Sequence, residues 1–347
     1  MRITIKDIAE RAGVSKTTVS FALNSPERIS HATYERIMAI VNELGYVPDP
    51  VARTLTTKRL GVIGLLLPQS IQEAMLNPHL CDIIGGIGQA CERYEISLAM
   101  LPPVKGRIIE AARRTFVDAL LTVGVGPDHE VVEFLGKRHI PFVTIDGADS
   151  DAAVNVGIAD SDAAYAVMKH MLDFGHRRIA IFSLMPDAVA LPVKRFSIVR
   201  DLRLEGYARA LAEAGLSMDS PGVCVAESGG SREGGKEAAR RLLADPDCRP
   251  TAIVAMSDIV ALGVYDAASD LGIRIPEELS VAGFDGIPEG LLVRPALTTV
   301  IQSGRAKGEK AASLVLSILE GKEAKHYKMP HALEIRGSTA AVPEEHR

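Results

Sequence analysis

Thr4-Ile5-Lys6-Asp7-Ile8-Ala9-Glu10-Arg11-Ala12-Gly13-Val14-Ser15-Lys16-Thr17-Thr18-Val19-Ser20-Phe21-Ala22-Leu23-Asn24 reads as two short helices around a single glycine. Thr4 followed three residues later by Asp7 has the form of a capping box. Ile5, Ile8, Ala9 and Ala12 recur at helical spacing, so a first helix is predicted over 5–12. Gly13 stops it, being the residue that takes the left-handed conformation at least cost. Ser15 then caps a second helix with Val19, Ala22 and Leu23 on its inner face, and Asn24-Ser25-Pro26 ends it. A third helix begins at Ser30, runs through Ile37, Ile40 and Val41, and stops at Gly45. Two short helices joined by a tight glycine turn and braced by a third make a helix-turn-helix, which places its second helix in the major groove of DNA. The competing reading is a three-helix bundle with no nucleic-acid partner. Against it, the outer face of the second helix (Ser15, Lys16, Thr17, Ser20) is small, hydroxyl-rich and free of an apolar patch, so it can approach phosphates and base edges closely.

Charge is distributed to match. Residues 1–59 hold nine Lys/Arg against six Asp/Glu, a local +3, while the whole chain of 347 residues carries −5 and the remainder therefore −8. A basic head on an acidic body meets a polyanion only through the head. No apolar run approaches the roughly 18 residues of a membrane span, and the charged start Met1-Arg2-Ile3-Thr4-Ile5-Lys6-Asp7 lacks the apolar core of a secretory signal, so the expectation is a cytoplasmic protein without membrane contact. The four cysteines (Cys81, Cys91, Cys224, Cys248) are scattered without a Cys-x-x-Cys pair, which points to reduced thiols.

The segments Thr4–Ala9, Ala12-Gly13-Val14-Ser15 and Thr18-Val19-Ser20-x-Ala22-Leu23-Asn24 closely resemble the signature of the lactose-repressor (LacI) family of transcription regulators. The resemblance implies that Lys16 and Thr17 lead the recognition helix and read bases, that Ser15, Thr18, Ser20, Asn24 and Tyr46 hold phosphates, and that Arg28 lies with them on the DNA side. Phe21 stands where many members carry a base-reading Arg. It cannot donate a hydrogen bond, so it either touches a thymine methyl or simply packs against the duplex or a neighbouring helix. Val47-Pro48-Asp49-Pro50 breaks the third helix, and residues 48–59 form a linker. By resemblance 51–55 is a hinge helix that orders on the operator, with Leu55 as the minor-groove wedge.

From residue 60 apolar runs alternate with amphipathic stretches. Strands are predicted at 62–67, 96–101, 119–123, 142–145, 179–182, 222–226, 252–255 and 280–283, with helices at 82–93, 162–174, 203–214, 231–243 and 258–271 between them. Such alternation means parallel sheets buried on both faces. The fold class expected is an all-α helix-turn-helix head on a two-lobed α/β body, which the resemblance identifies as the periplasmic-binding-protein type I fold. The expected domains are 1–47, 48–59 and 60–340, with one lobe at about 60–160 and 289–321, the other at about 161–288 and 322–340, and crossings near 159–161, 286–290 and 320–325.

Several motifs that suggest other chemistry are weak. Gly230-x-x-x-x-Gly235-Lys236-Glu237 nearly spells a P-loop, but Glu replaces the hydroxyl that would hold magnesium. Gly85-Gly86-x-Gly88 falls inside a helix rather than in a strand-to-helix turn. His170 and His176 are six apart and off one helical face, so no metal is expected. No nucleophile elbow or Ser-x-x-Lys occurs. Neither catalysis nor a cofactor is expected.

A small-molecule cleft is better supported. The resemblance places Asp146, Arg203, Ser257 and Asp285 in it, with Pro68 or Gln69 at its rim. Asp146, Asp258 and Asp285 lie at or just past strand ends, where open α/β sheets bind ligands. Carboxylates with a guanidinium can take several hydroxyls of a sugar, although Asp258 and Asp285 can equally cap helices and Arg203 can form a surface ion pair. The chain has no Trp, so a stacking ring has to come from Phe or Tyr; Phe196 is the candidate. The function expected is a repressor that binds a palindromic double-stranded DNA operator as a homodimer, tetramers being left open, under control of a small polar effector. A sugar fits best, with a purine or sugar phosphate as alternatives. A solute-binding protein is the reading from another class, and residues 1–59 argue against it.

Overall fold

A computed structural model describes residues 3–46, 59–184, 197–245 and 249–342. The chain divides into two compact units at Leu60/Gly61. The expected hinge at 51–55, with Leu55, and the candidate Phe196 lie outside the described residues.

In the first unit, helices α1 (Ile5–Ala12), α2 (Lys16–Asn24) and α3 (His31–Leu44) form as their caps dictate. The Asp7 carboxylate accepts hydrogen bonds from the Thr4 N–H at 2.7 Å and its hydroxyl at 2.8 Å. Ser15 Oγ accepts from Thr18 N at 3.1 Å, and Ser30 Oγ from Thr33 N at 3.3 Å. Gly13 and Gly45, at φ of 64° and 59°, provide the left-handed stops. Ile8, Ala9, Ala12, Val19, Ala22, Ile37 and Val41 bury one shared core, and an Arg11–Glu43 ion pair joins α1 to α3.

The second unit is a pair of α/β lobes. Its strands, in chain order, are β1 (Val62–Leu66), β2 (Ser97–Leu101), β3 (Ala119–Val123), β4 (Phe142–Ile145) and β5 (Val154–Gly157). They continue as β6 (Ile179–Leu184), β7 (Val223–Ser228), β8 (Ala252–Ala255), β9 (Ser280–Asp285) and β10 (Thr298–Gln302). Two short strands, β11 (Tyr327–Lys328) and β12 (His331–Glu334), close the series. One sheet has the order β11-β5-β4-β3-β1-β2 and the other β12-β10-β9-β8-β6-β7. All neighbours are parallel except β12, which runs antiparallel to β10. Of the apolar strands predicted in the sequence, β1, β3, β4, β6, β8 and β9 are interior to these sheets, while β2 and β7 are edge strands. The strands it did not single out (β5, β10, β11, β12) are polar or peripheral.

The body divides differently from the expectation. The first crossing, between β5 and the helix Asp160–Asp173, lies where it was predicted. The second is not at 286–290: past β9 the chain turns through Pro288–Leu291 and re-enters the same sheet as β10, parallel to β9. It crosses only between Gln302 and the helix Gly304–Leu319, which packs on the first lobe beside Pro78–Arg93. The third crossing is at 328–331 rather than 320–325, because Tyr327 and Lys328 first pair with Val156 and Gly157 of β5. The lobe boundaries follow from strand pairing, which the local sequence pattern of Thr298–Gln302 does not reveal.

Among the described residues no helix is long and apolar enough to cross a membrane, and no group of three or more His, Cys, Asp or Glu is placed to hold a metal ion. The glycines of the weak phosphate-loop resemblances have packing roles instead. A Cβ on Gly86 would lie 1.9 Å from Arg305 O, and one on Gly235 2.3 Å from Val260 O, so these glycines let neighbouring helices touch backbone to backbone. Gly88, in the same helix as Gly86, has nothing within 4 Å of such a Cβ. Gly86→Ala is therefore expected to cost about 1–3 kcal/mol through forced separation of the helices. Gly88→Ala should be neutral or stabilising by up to about 1 kcal/mol through helix propensity. Urea unfolding of the two variants checks this, and equal effects would contradict the packing role of Gly86.

Candidate nucleic-acid interface and effector cleft

On the head, Lys16 and Thr17 open α2 and are exposed, as are Ser15, Asn24 and Arg28, whereas Thr18, Ser20, Phe21 and Tyr46 are half-buried. Part of the hydroxyl face is already engaged. Ser15 Oγ and Thr18 Oγ1 lie 2.8 Å apart, and Asn24 Nδ2 donates to Ser20 O at 3.0 Å. Phe21 does not stand free: the Arg28 guanidinium covers its ring at 4.1 Å from the centroid. Of the two readings left open for Phe21, packing within the head has a partner in the structure.

The cleft lies at the carboxyl ends of the strands. Asp146 follows β4 in a left-handed backbone conformation, φ 54°. Its Oδ1 accepts from Lys307 Nζ at 2.6 Å, and Lys307 is wholly buried. The same ammonium donates to Gln302 Oε1. Gln302 Nε2 donates to Asp285 Oδ1 at 2.7 Å, and Asp285 Oδ2 accepts from Ser257 Oγ at 3.0 Å. A continuous hydrogen-bonded chain thus runs from Asp146 in one lobe to Ser257 in the other.

Arg203 forms a second buried centre. Its Nε donates to Asp160 Oδ1 at 2.9 Å, its NH1 group donates to Met256 O, and its guanidinium lies 3.4 Å from the centroid of the Phe284 ring. Burial raises the Asp160 pKa; Arg203 works against that, and Asp146 adds to it. Asp146 and Asp160 both line a cavity of about 150 Å³ together with Asn155, Gly157, Leu202 and Lys328. His79, at the start of the helix Pro78–Arg93, is buried with Nε2 unpartnered, and burial lowers its pKa.

The structure brings Asp146, Arg203, Ser257 and Asp285 together. Gln69 is half-buried just past β1 and makes no hydrogen bond to them. Asp258 requires a correction. It is fully buried; its Oδ2 accepts from Gly286 N at 2.7 Å and Ile287 N at 2.9 Å, and its Oδ1 from Thr299 Oγ1 at 2.6 Å. Those bonds clamp the β9–β10 connection and engage both carboxylate oxygens inside the protein. Sequence reasoning missed Lys307, Gln302 and Asp160. For Lys307 a signal exists: Gly304, Lys307, Gly308, Ala311, Ala312 and Val315 recur at helical spacing, which places a lysine on a buried face.

A helix-turn-helix head joined to such a body defines a class, the DNA-binding transcriptional regulators with a ligand-binding-type core. Residues 4–49 match the model of bacterial regulatory proteins of the lacI family, and residues 168–339 match the periplasmic binding protein-like domain. An HTH-type transcriptional regulator of Mycobacterium tuberculosis is 32% identical over 91% of this chain and 90% of that protein. The HTH-type transcriptional repressor PurR of Photobacterium profundum is 30% identical over 96% and 98%. The chain belongs to the lacI family of transcriptional regulators. The structure of the transcriptional regulator CelR in complex with cellobiose superposes with a TM-score of 0.67 at 25% identity, covering 97% of this chain and 100% of that one. The fold is shared with the lac repressor dimer bound to operator and the anti-inducer ONPF, at a TM-score of 0.79 and 24% identity over 98% and 100% of the two chains.

The clamp role of Asp258 has a direct consequence. Burial, and after it the nearby Asp285, pushes its pKa up to about 7. A carboxyl that holds its proton more tightly when folded loses stability as pH rises from its unfolded pKa, about 4, to its folded value. Asp258→Asn keeps the shape, can still accept both backbone N–H bonds, and cannot titrate. Wild type should lose stability relative to Asp258→Asn between about pH 4 and pH 7 and run parallel above. Asp258→Ala should cost at least about 2 kcal/mol at any pH by orphaning buried donors. Chemical unfolding across that range checks both.

Proposed function

We propose that this regulator binds a palindromic operator as a homodimer and that a neutral polyhydroxyl effector, a sugar, held in the cleft sets its affinity. The observation that carries the effector class is the charge inventory of the cleft. Asp146 is paired with Lys307, Asp160 with Arg203, and Asp149 with Lys328 at 3.2 Å. Asp285 has hydrogen-bond donors but forms no ion pair among the described residues. The net −1 repels a sugar phosphate, while fixed acceptors and hydrogen-bonded cations suit hydroxyl groups. A purine would need an aromatic face. No aromatic side chain lines the 150 Å³ cavity among the described residues, and Arg203 already covers the ring of Phe284.

Dimer formation is supported by apolar side chains left open to solvent on the body. Ile71, Met75 and Leu76 precede the helix Pro78–Arg93, and Leu291 and Leu292, the latter 75% exposed, follow β9. Cys81 packs beside the first group, its thiol 3.5 Å from Met75 O. Apolar side chains exposed in this way suit an association face, and one helix-turn-helix alone buries too little for specific recognition.

Selection from a random DNA pool, repeated with glucose, ribose, cellobiose and purine bases, tests the proposal. A palindromic consensus whose recovery shifts with one sugar is expected; a shift produced only by a purine would overturn the effector class. On that consensus, replacing Lys16 or Thr17 by Ala should relax base preference, whereas Ser20→Ala should weaken all sequences alike. Leu292→Glu should yield monomers in sedimentation velocity and abolish full-strength operator binding. Retention of a wild-type dimer would remove this face from the interface.

A further inference from the structure

Lys307 has the most unusual placement of any charged residue described. It is wholly buried, and it lies on a helix pressed so closely to Pro78–Arg93 that a Cβ on Gly308 would sit 2.0 Å from Ile83 O. The helix therefore cannot rotate or withdraw without separating that contact, and the ammonium is fixed under the cleft. Both of its hydrogen-bonded partners belong to the ligand-binding machinery: Asp146 Oδ1 on the cavity wall and Gln302 Oε1 at the crossing between lobes. Gln302 passes the connection to Asp285 in the second lobe. Among the described residues Asp146 accepts through Oδ1, with no bond to Oδ2, and it lines the cavity.

We propose that Lys307 is a positioning residue for the effector: it never lines the cavity, yet it holds Asp146 as a charged, oriented acceptor and locks it to Asp285 across the lobes. This rests on the reading of the cleft as a sugar site. The physical reason is the crowding of carboxylates. Asp146 and Asp160 line the same cavity of about 150 Å³, as do Asp149 and Lys328. His79, Asp285 and Arg203 share its electrostatic surroundings. Arg203 is committed to Asp160 and Lys328 to Asp149, so among the described residues Lys307 alone pairs with Asp146. Without that ammonium, two carboxylates meet across a small cavity with one fewer counter-charge, and the pair takes up a proton, which turns one acceptor oxygen into a donor.

The test uses the full-length protein with Lys307→Met, which keeps the stem and deletes the charge, Lys307→Arg, Asp146→Asn and the double variant Lys307→Met/Asp146→Asn. The first readout needs no sugar. Melting temperature is followed from about pH 5 to about pH 8, where a buried carboxyl with a raised folded pKa loses stability as pH rises. Lys307→Met should fall steadily relative to wild type over that range, while the double variant and Lys307→Arg should run parallel to wild type. The second readout is calorimetric binding of the sugar picked out from glucose, ribose and cellobiose. Lys307→Met should weaken it about tenfold or more at pH 8, and the double variant should be no weaker than Asp146→Asn alone. A Lys307→Met protein with wild-type sugar affinity and a wild-type pH profile overturns the proposal. Absence of sugar binding by wild type would overturn the sugar-site reading instead, and the melting profiles would still decide whether Lys307 sustains the charge of Asp146.

Discussion

A charge taken out of water between two packed lobes has to find its counter-charge inside the protein, because isolated burial costs far more than any one contact returns. The body of this regulator meets that demand with Lys307 against Asp146 in the first lobe and Arg203 against Asp160 where the chain enters the second, while buried Asp285 is held by neutral donors. Around these pairs the remaining polar groups arrange themselves. Gln302 joins the first pair to Asp285, Ser257 completes Asp285, and Met256 O takes a further donor of Arg203. The cleft is therefore a pre-assembled set of donors and acceptors spanning both lobes. In the proposed function, an effector that replaces or extends those bonds acts on both lobes at once.

The link between such a cleft and a DNA-binding head is a matter of differential affinity. An effector changes operator binding only if it interacts differently with two arrangements of the body, and the thermodynamics permits either sign. The crossings at 158–160, 302–304 and 328–331 are the points at which one lobe can move against the other. One of them lies beside Gln302, so the hydrogen-bonded chain and the covalent crossing share a position. This places the polar network where a change in lobe arrangement has to pass.

Much of this architecture is legible in the amino-acid sequence. The caps Thr4, Ser15 and Ser30 and the stops Gly13 and Gly45 place α1 to α3 within a residue, because helix ends are set by local chemistry. The central strands announce themselves as apolar runs, since both faces of a parallel sheet are buried. What escapes is decided at long range. β10, with Thr298-Thr299, earns its place by pairing with β9 and by the hold of Asp258 on Gly286, Ile287 and Thr299. Nothing within those residues says to which lobe they belong, so the second and third crossings do not follow from the local pattern. Asp258 and Asp285 both stand at the edge of a strand and look alike in sequence; only the fold shows that one is consumed by backbone donors. Lys307 is the converse case, a residue type expected on the surface whose helical phase points inward.

The most direct measurement of the central claim is reciprocal linkage. Operator affinity is determined with and without a saturating sugar, and affinity for the same sugar is determined with and without saturating operator. If the cleft and the head are two sites of one regulator, the two ratios have to be equal, and each should depart from unity by roughly 5- to 150-fold. Sugar binding that is identical on free and operator-bound protein would contradict the account, leaving a DNA-binding head and a ligand-binding body that share a chain without controlling one another.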